Sequence, residues 1–158
     1  MDLLPLFQWL DSLPFNNTLR ESEYLSAANN LVHLLSLAVF AGALVIVDLR
    51  LLGTGLKDLP RARVARDAQP WLIGGFLGLL VTGFLALAPT AMQQYDNSTF
   101  WFKMGLLAFG LVFTFTIRRY VALADEARVG RVLPKIVGLV SIVAWMGVAA
   151  AARLIMLL

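Results

Sequence analysis

The chain has 158 residues, 59% of them hydrophobic, and a formal net charge of +3, with a mean hydropathy of +0.78. A fold this small cannot hide so much apolar surface in one globule, which excludes a water-soluble domain and leaves lipid as the natural solvent. The basic residues flank apolar runs and form no aromatic-interleaved patch, which excludes nucleic acid as a partner; the lack of cysteine excludes disulfides and thiolate metal sites.

The N-terminal stretch begins MDLLPLFQWLDSLPF. It is acidic at Asp2 and lacks the basic n-region of a signal peptide. Leu3, Leu6, Phe7, Leu10 and Leu13 fall at helical spacing. Residues 1–26 are therefore expected to hold an amphipathic helix, lying in the headgroup layer or packed on the end of a bundle. Residues 27–158 come next as a transmembrane domain of four apolar segments, at 27–53, 71–91, 99–118 and 132–157. Each approaches the ~20 residues that cross a hydrocarbon core. The fold class is all-α: an integral membrane four-helix bundle with an N-terminal interfacial helix.

Loop 1–2 carries Arg50, Lys57, Arg61, Arg63 and Arg66, and loop 3–4 carries Arg118, Arg119, Arg128, Arg131 and Lys135. Ten of the thirteen basic residues thus lie on one side. The positive-inside rule makes that side cytoplasmic. Both termini are then periplasmic, in a multi-pass protein of a bacterial inner membrane.

Segment 1 holds His33 near one end and Asp48 near the other, ionisable residues that are costly in a membrane and need a partner or a task. His33, Leu37, Phe40, Leu44 and Asp48 form one stripe within roughly 60° at 100° per residue. Asp48 is expected to meet Arg118 or Arg119 at the inner end of segment 3, as a structural ion pair. Segment 2 carries Gly74, Gly78 and Thr82 at i+4 spacing, with Gly75 and Gly83 nearby. Such small residues let a helix approach closely, or bare the backbone to a flat ligand such as a porphyrin. Gly53-Thr54-Gly55 is too short for a nucleotide loop and reads as the cap of segment 1.

Lys103 stands near the outer start of segment 3 and Arg153 near the outer end of segment 4. Either alone is an ordinary snorkelling residue. At about 1.5 Å rise per residue, His33 shares their depth, so an outward-facing polar layer is expected from three helices. A neutral imidazole ligates haem iron, zinc or copper. His33 is the sole histidine. A bis-histidine haem within one chain is therefore excluded, which leaves Lys103 or the thioethers of Met92, Met104 and Met156 as further ligands.

His33, the small Ala41 and Gly42, the DLRLLG run at 48–53 and the FWFKMGLL run at 100–107 resemble those of a family of small, uncharacterised bacterial four-helix membrane proteins. More distantly, the chain is similar to the superfamily of copper-resistance D proteins and HemJ-type protoporphyrinogen oxidases. The resemblance covers roughly residues 27–120 and implies haem b, with His33 as axial ligand and Lys103 as second ligand or essential base. The Trp and Arg-rich run that comes after the histidine in HemJ-type proteins is replaced here by DLRLLG. What the resemblance implies is therefore haem binding and not the oxidase reaction. Depth and charge alone nominate Arg153 as a propionate partner.

The expected function is a b-type haem protein with a redox role and an unidentified redox partner. Two other classes stand beside it: a copper-handling protein using His33 and methionines, and a non-catalytic oligomer or small channel. Four helices bury little protein surface, so a homo-oligomer is expected in each case. No nucleophile–base pair or phosphate loop suggests a hydrolase or kinase.

Overall fold

The computed structural model describes residues 3–155, and all regular structure among them is helical. Two short helices, α1 (Leu4–Asp11) and α2 (Phe15–Glu21), precede four runs long and apolar enough to cross a membrane. The first is α3 (Glu23–Leu52). The second is α4 (Arg61–Leu87), continued by a 3₁₀ turn (Ala88–Thr90) and α5 (Ala91–Tyr95). The third is α6 (Ser98–Phe113), continued by a π-helical turn (Thr114–Arg118) and α7 (Arg119–Leu123). After the short α8 (Glu126–Val129) comes the fourth, α9 (Val132–Ile155).

Local chemistry fixes the ends. Ser22 caps α3 by accepting from the Leu25 N–H at 3.3 Å. Gly53 ends α3 in the left-handed region, φ 77°. Its N–H bonds Arg50 O and the Thr54 N–H bonds Leu49 O, the paired bonds of a Schellman cap. Asn97 caps α6 by accepting from the Thr99 N–H at 2.9 Å.

Two boundaries differ from the sequence reading. Segment 2 is expected from 71, but α4 runs unbroken from Arg61 with Pro70 inside it. Proline removes one intrahelical bond without ending the helix, and the arginines before it form helical turns rather than a loop. Segment 3 likewise continues past 118 as α7.

α3 packs between α4 and α9, α9 packs on α6, and α4 closes against α7. The core is built from Phe40, Leu44, Val47 and Leu51 of α3 against Val64, Ala68 and Leu72 of α4, with Phe113, Val121 and Val137 behind them. The glycine face of α4 is filled by α3 itself. A Cβ on Gly75 would lie 2.7 Å from Phe40 N, and one on Gly78 would collide with Ser36 Oγ. Gly74, expected on the same face, meets nothing within 4 Å. That face is therefore closed to a porphyrin or a subunit.

The end of the bundle away from the Arg50–Arg61 connection is capped by the N-terminal helices. Phe7 and Leu10 of α1 are buried against Ala91 and Phe100, while Leu3, Leu6 and Trp9 remain exposed on the other face. Buried Asn16 stitches the cap, donating to Leu10 O at 2.7 Å, Asp11 O at 2.9 Å and Ala88 O at 3.3 Å. Arg20 adds a 2.6 Å pair to Asp11 and a bond to Pro89 O. Below this cap, Leu31, Val32, Leu34, Leu35, Leu37 and Val39 of α3 are exposed. In this half α3 is covered by protein mainly on the side facing α4.

Candidate functional site

Polar groups gather at two levels along α3. Near the capped end, Asn29, His33 and Ser36 occupy the side turned to α4 and are partly buried. Asn29 Nδ2 donates to Thr82 O at 3.1 Å. His33 Nδ1 lies 2.7 Å from Thr82 Oγ1, and Thr82 Oγ1 lies 2.6 Å from Gly78 O. A carbonyl only accepts, so the threonine hydroxyl donates its proton to Gly78 O. Its oxygen then accepts from the imidazole, which carries a proton on Nδ1 and leaves Nε2 with a lone pair. No described residue makes a hydrogen bond to Nε2. His33 Cε1 rests against the space over Gly83, 3.7 Å from where a Cβ would stand.

The other expected members of this layer are placed separately. Lys103 is half-buried on α6. It makes no hydrogen bond or ion pair among the described residues. Arg153 is exposed and likewise without such a partner. Met92 packs into the cap beside Phe7 and Leu10, Met104 is exposed, and Met156 lies outside the described residues. Among the described residues no three His, Cys, Asp or Glu side chains converge into a site for a bare metal ion.

The second level is fully enclosed. Asp48 is 1% and Arg118 4% exposed. Arg118 Nε donates to Asp48 Oδ1 at 2.6 Å and its Nη2 donates to Leu44 O at 2.8 Å. Ser141 Oγ donates to Asp48 Oδ2 at 2.7 Å. Both carboxylate oxygens are thus matched, which is the condition for keeping an ion pair in a low dielectric. The π-helical turn ends at Arg118, and such a turn shifts the register of the helix beyond it. It also sets Thr114, whose Oγ1 accepts from Trp145 Nε1 at 3.0 Å. Arg119, the other candidate partner of Asp48, points elsewhere and is exposed. The stripe along α3 holds at Phe40, Leu44 and Asp48, but Leu37 is exposed.

A family model matches residues 21–157. The chain belongs to a family of unknown function, DUF6644. The DUF6644 match takes in His33, Thr82, Lys103, Asp48, Arg118 and Ser141, and begins at the last residue of α2, so α1 stands outside it. Neither a curated protein nor a solved structure matches the chain. The similarity to copper-resistance D and HemJ-type proteins gains no support from these comparisons.

Two residues of these polar clusters escaped the sequence reading. Thr82 registers there only as a small residue of a packing stripe. Ser141 does not register at all, although it is the sole serine or threonine of the fourth segment. A lone hydroxyl in an apolar helix, facing a buried carboxylate, was the available signal.

Proposed function

We propose that this DUF6644 protein is a b-type haem protein of the bacterial inner membrane with a redox role, His33 Nε2 being the axial ligand. The carrying observation is the Thr82 hydroxyl, 2.7 Å from His33 Nδ1 and 2.6 Å from Gly78 O, which accepts a hydrogen bond from Nδ1–H and leaves the Nε2 lone pair for a ligand. Metal-ligating histidines are held in this way, their second nitrogen donating to a fixed acceptor. Haem brings its own ring of nitrogen ligands, so one histidine suffices where a bare ion needs a cluster. When bound, it supplies one-electron chemistry. Lys103 serves as second ligand or as a base, and Arg153 as a propionate partner. Exposed Leu37, one turn from His33 along α3, offers a low-polarity contact for a porphyrin face.

In this reading the arginine-rich connections face the cytoplasm and the cap faces the periplasm. The exposed Leu31, Leu34 and Leu35 also favour a homo-oligomer closing over that side; a monomer in lipid nanodiscs overturns this part alone. Iron, copper and porphyrin are to be quantified on protein purified from cells supplied with both metals and a haem precursor. Stoichiometric haem is the expected result. Stoichiometric copper without porphyrin would reverse the assignment in favour of a thioether site on Met92 or Met104.

A further inference from the structure

The proposed haem layer leaves one polar region unexplained, at the opposite, basic end of the bundle. Here α4 faces the π-helical turn and α7 across a cavity of about 140 Å³. That is roughly tenfold the ~15 Å³ that one water needs on the same measure. The deep lining is apolar (Val47, Leu72, Ala122), with Thr114 and Arg118 beside it. The outer lining is Arg66, Gln69 and Arg119. Arg118 is already matched by Asp48 and Leu44 O. Arg66 and Arg119 are different: neither makes an ion pair or hydrogen bond among the described residues. Neighbouring Asp67 is directed to Arg63, at 3.8 Å.

Two guanidinium groups on facing helices, with the Gln69 amide on the same lining and no carboxylate ion-paired to either among the described residues, form a receptor for a phosphate. Each guanidinium can give a bidentate contact to it. The surroundings distinguish a lipid from a free ion. A shallow depression over Tyr120 and Leu123 shares Arg119 with the cavity and continues its apolar lining along α7. Exposed Trp71 and Tyr120 stand on the same two helices, residue types that settle at the headgroup level.

We propose that this cavity binds the phosphate of an anionic phospholipid headgroup, with Arg66 and Arg119 as its ligands and the Tyr120–Leu123 depression as the start of the acyl-chain path. The site is independent of the haem assignment. It makes the α4–α7 contact a place where the composition of one leaflet can tighten or loosen the bundle.

The test is native mass spectrometry of the purified full chain, supplied with phosphatidylglycerol or phosphatidylcholine, together with an Arg66→Gln/Arg119→Gln double variant. At about fivefold in affinity for each basic residue near an anionic lipid surface, the two arginines together make the wild type retain phosphatidylglycerol at least tenfold better than phosphatidylcholine. The double variant loses that preference and Arg66→Lys/Arg119→Lys recovers part of it. Arg128→Gln/Arg131→Gln, on the same side of the membrane but outside the cavity, keeps it. Helical content by circular dichroism separates lost binding from lost folding. Equal retention of the two lipids, or a preference that survives in the double variant, overturns the proposal. Displacement of bound phosphatidylglycerol by inorganic phosphate overturns the lipid assignment in favour of a soluble phosphate.

Discussion

At the scale of single residues, Thr82 decides what His33 is able to do. It bonds backward to Gly78 O, as threonines in helices often do, and so presents only an acceptor to the imidazole. Thr82→Val removes that acceptor at nearly constant volume. It is expected to lower haem affinity by about 10- to 100-fold, the usual cost of losing the hydrogen-bond partner of a ligating histidine, while Thr82→Ser retains most of it. Titration of the haem-free protein with haem measures both, and equal affinities in wild type and Thr82→Val would contradict the tautomer argument. Asp48 is the opposite kind of residue, satisfied on both oxygens and enclosed. Asp48→Ala leaves Arg118 buried without its counter-charge, a loss of about 3–5 kcal/mol, whereas Ser141→Ala costs about 1–3 kcal/mol. Thermal unfolding in detergent ranks the two; an unchanged midpoint for Asp48→Ala would refute a structural pairing.

At the scale of helices, the sequence was legible wherever a rule acts within one element. The helical spacing of Phe7 and Leu10 and the Gly53 cap are of this kind, whereas Leu3 and Leu6, expected at the same spacing, are exposed. Segment 2, expected from 71, begins ten residues earlier, because α4 starts at Arg61 and carries Pro70 within it. The π-helical turn was not legible, because nothing in TFTIR itself asks for an extra residue per turn. That turn is settled by what Arg118 and Thr114 reach on α3 and α9. Glycine faces were half legible. The i+4 spacing announced close helix packing, but it placed Gly74 on a face that belongs to Gly75. Gly75→Ala drives a Cβ into the Phe40 backbone and is expected to destabilise by about 1–3 kcal/mol. Gly74→Ala meets open space and is expected to be neutral or slightly stabilising, since alanine is the better helix former. Equal melting shifts for the pair would contradict the packing described.

At the scale of the molecule, four apolar helices are tied at two levels with different characters. The basic-end half is closed by an ion pair, a continuous core and the α4–α7 contact. The capped half leaves one side of α3 exposed and sets a histidine with an open nitrogen on the other. This asymmetry puts an enclosed ion pair at one end and a partly buried imidazole at the other. The sequence announced the layer from the depths of His33, Lys103 and Arg153, but depth says nothing about azimuth, and only His33 and Lys103 are partly buried. The most direct measurement is the absorbance spectrum of protein purified from haem-replete cells, wild type beside His33→Ala. The account predicts a Soret band in the wild type that is lost or strongly shifted in the variant. A colourless wild type, or a band unchanged by His33→Ala, would contradict it.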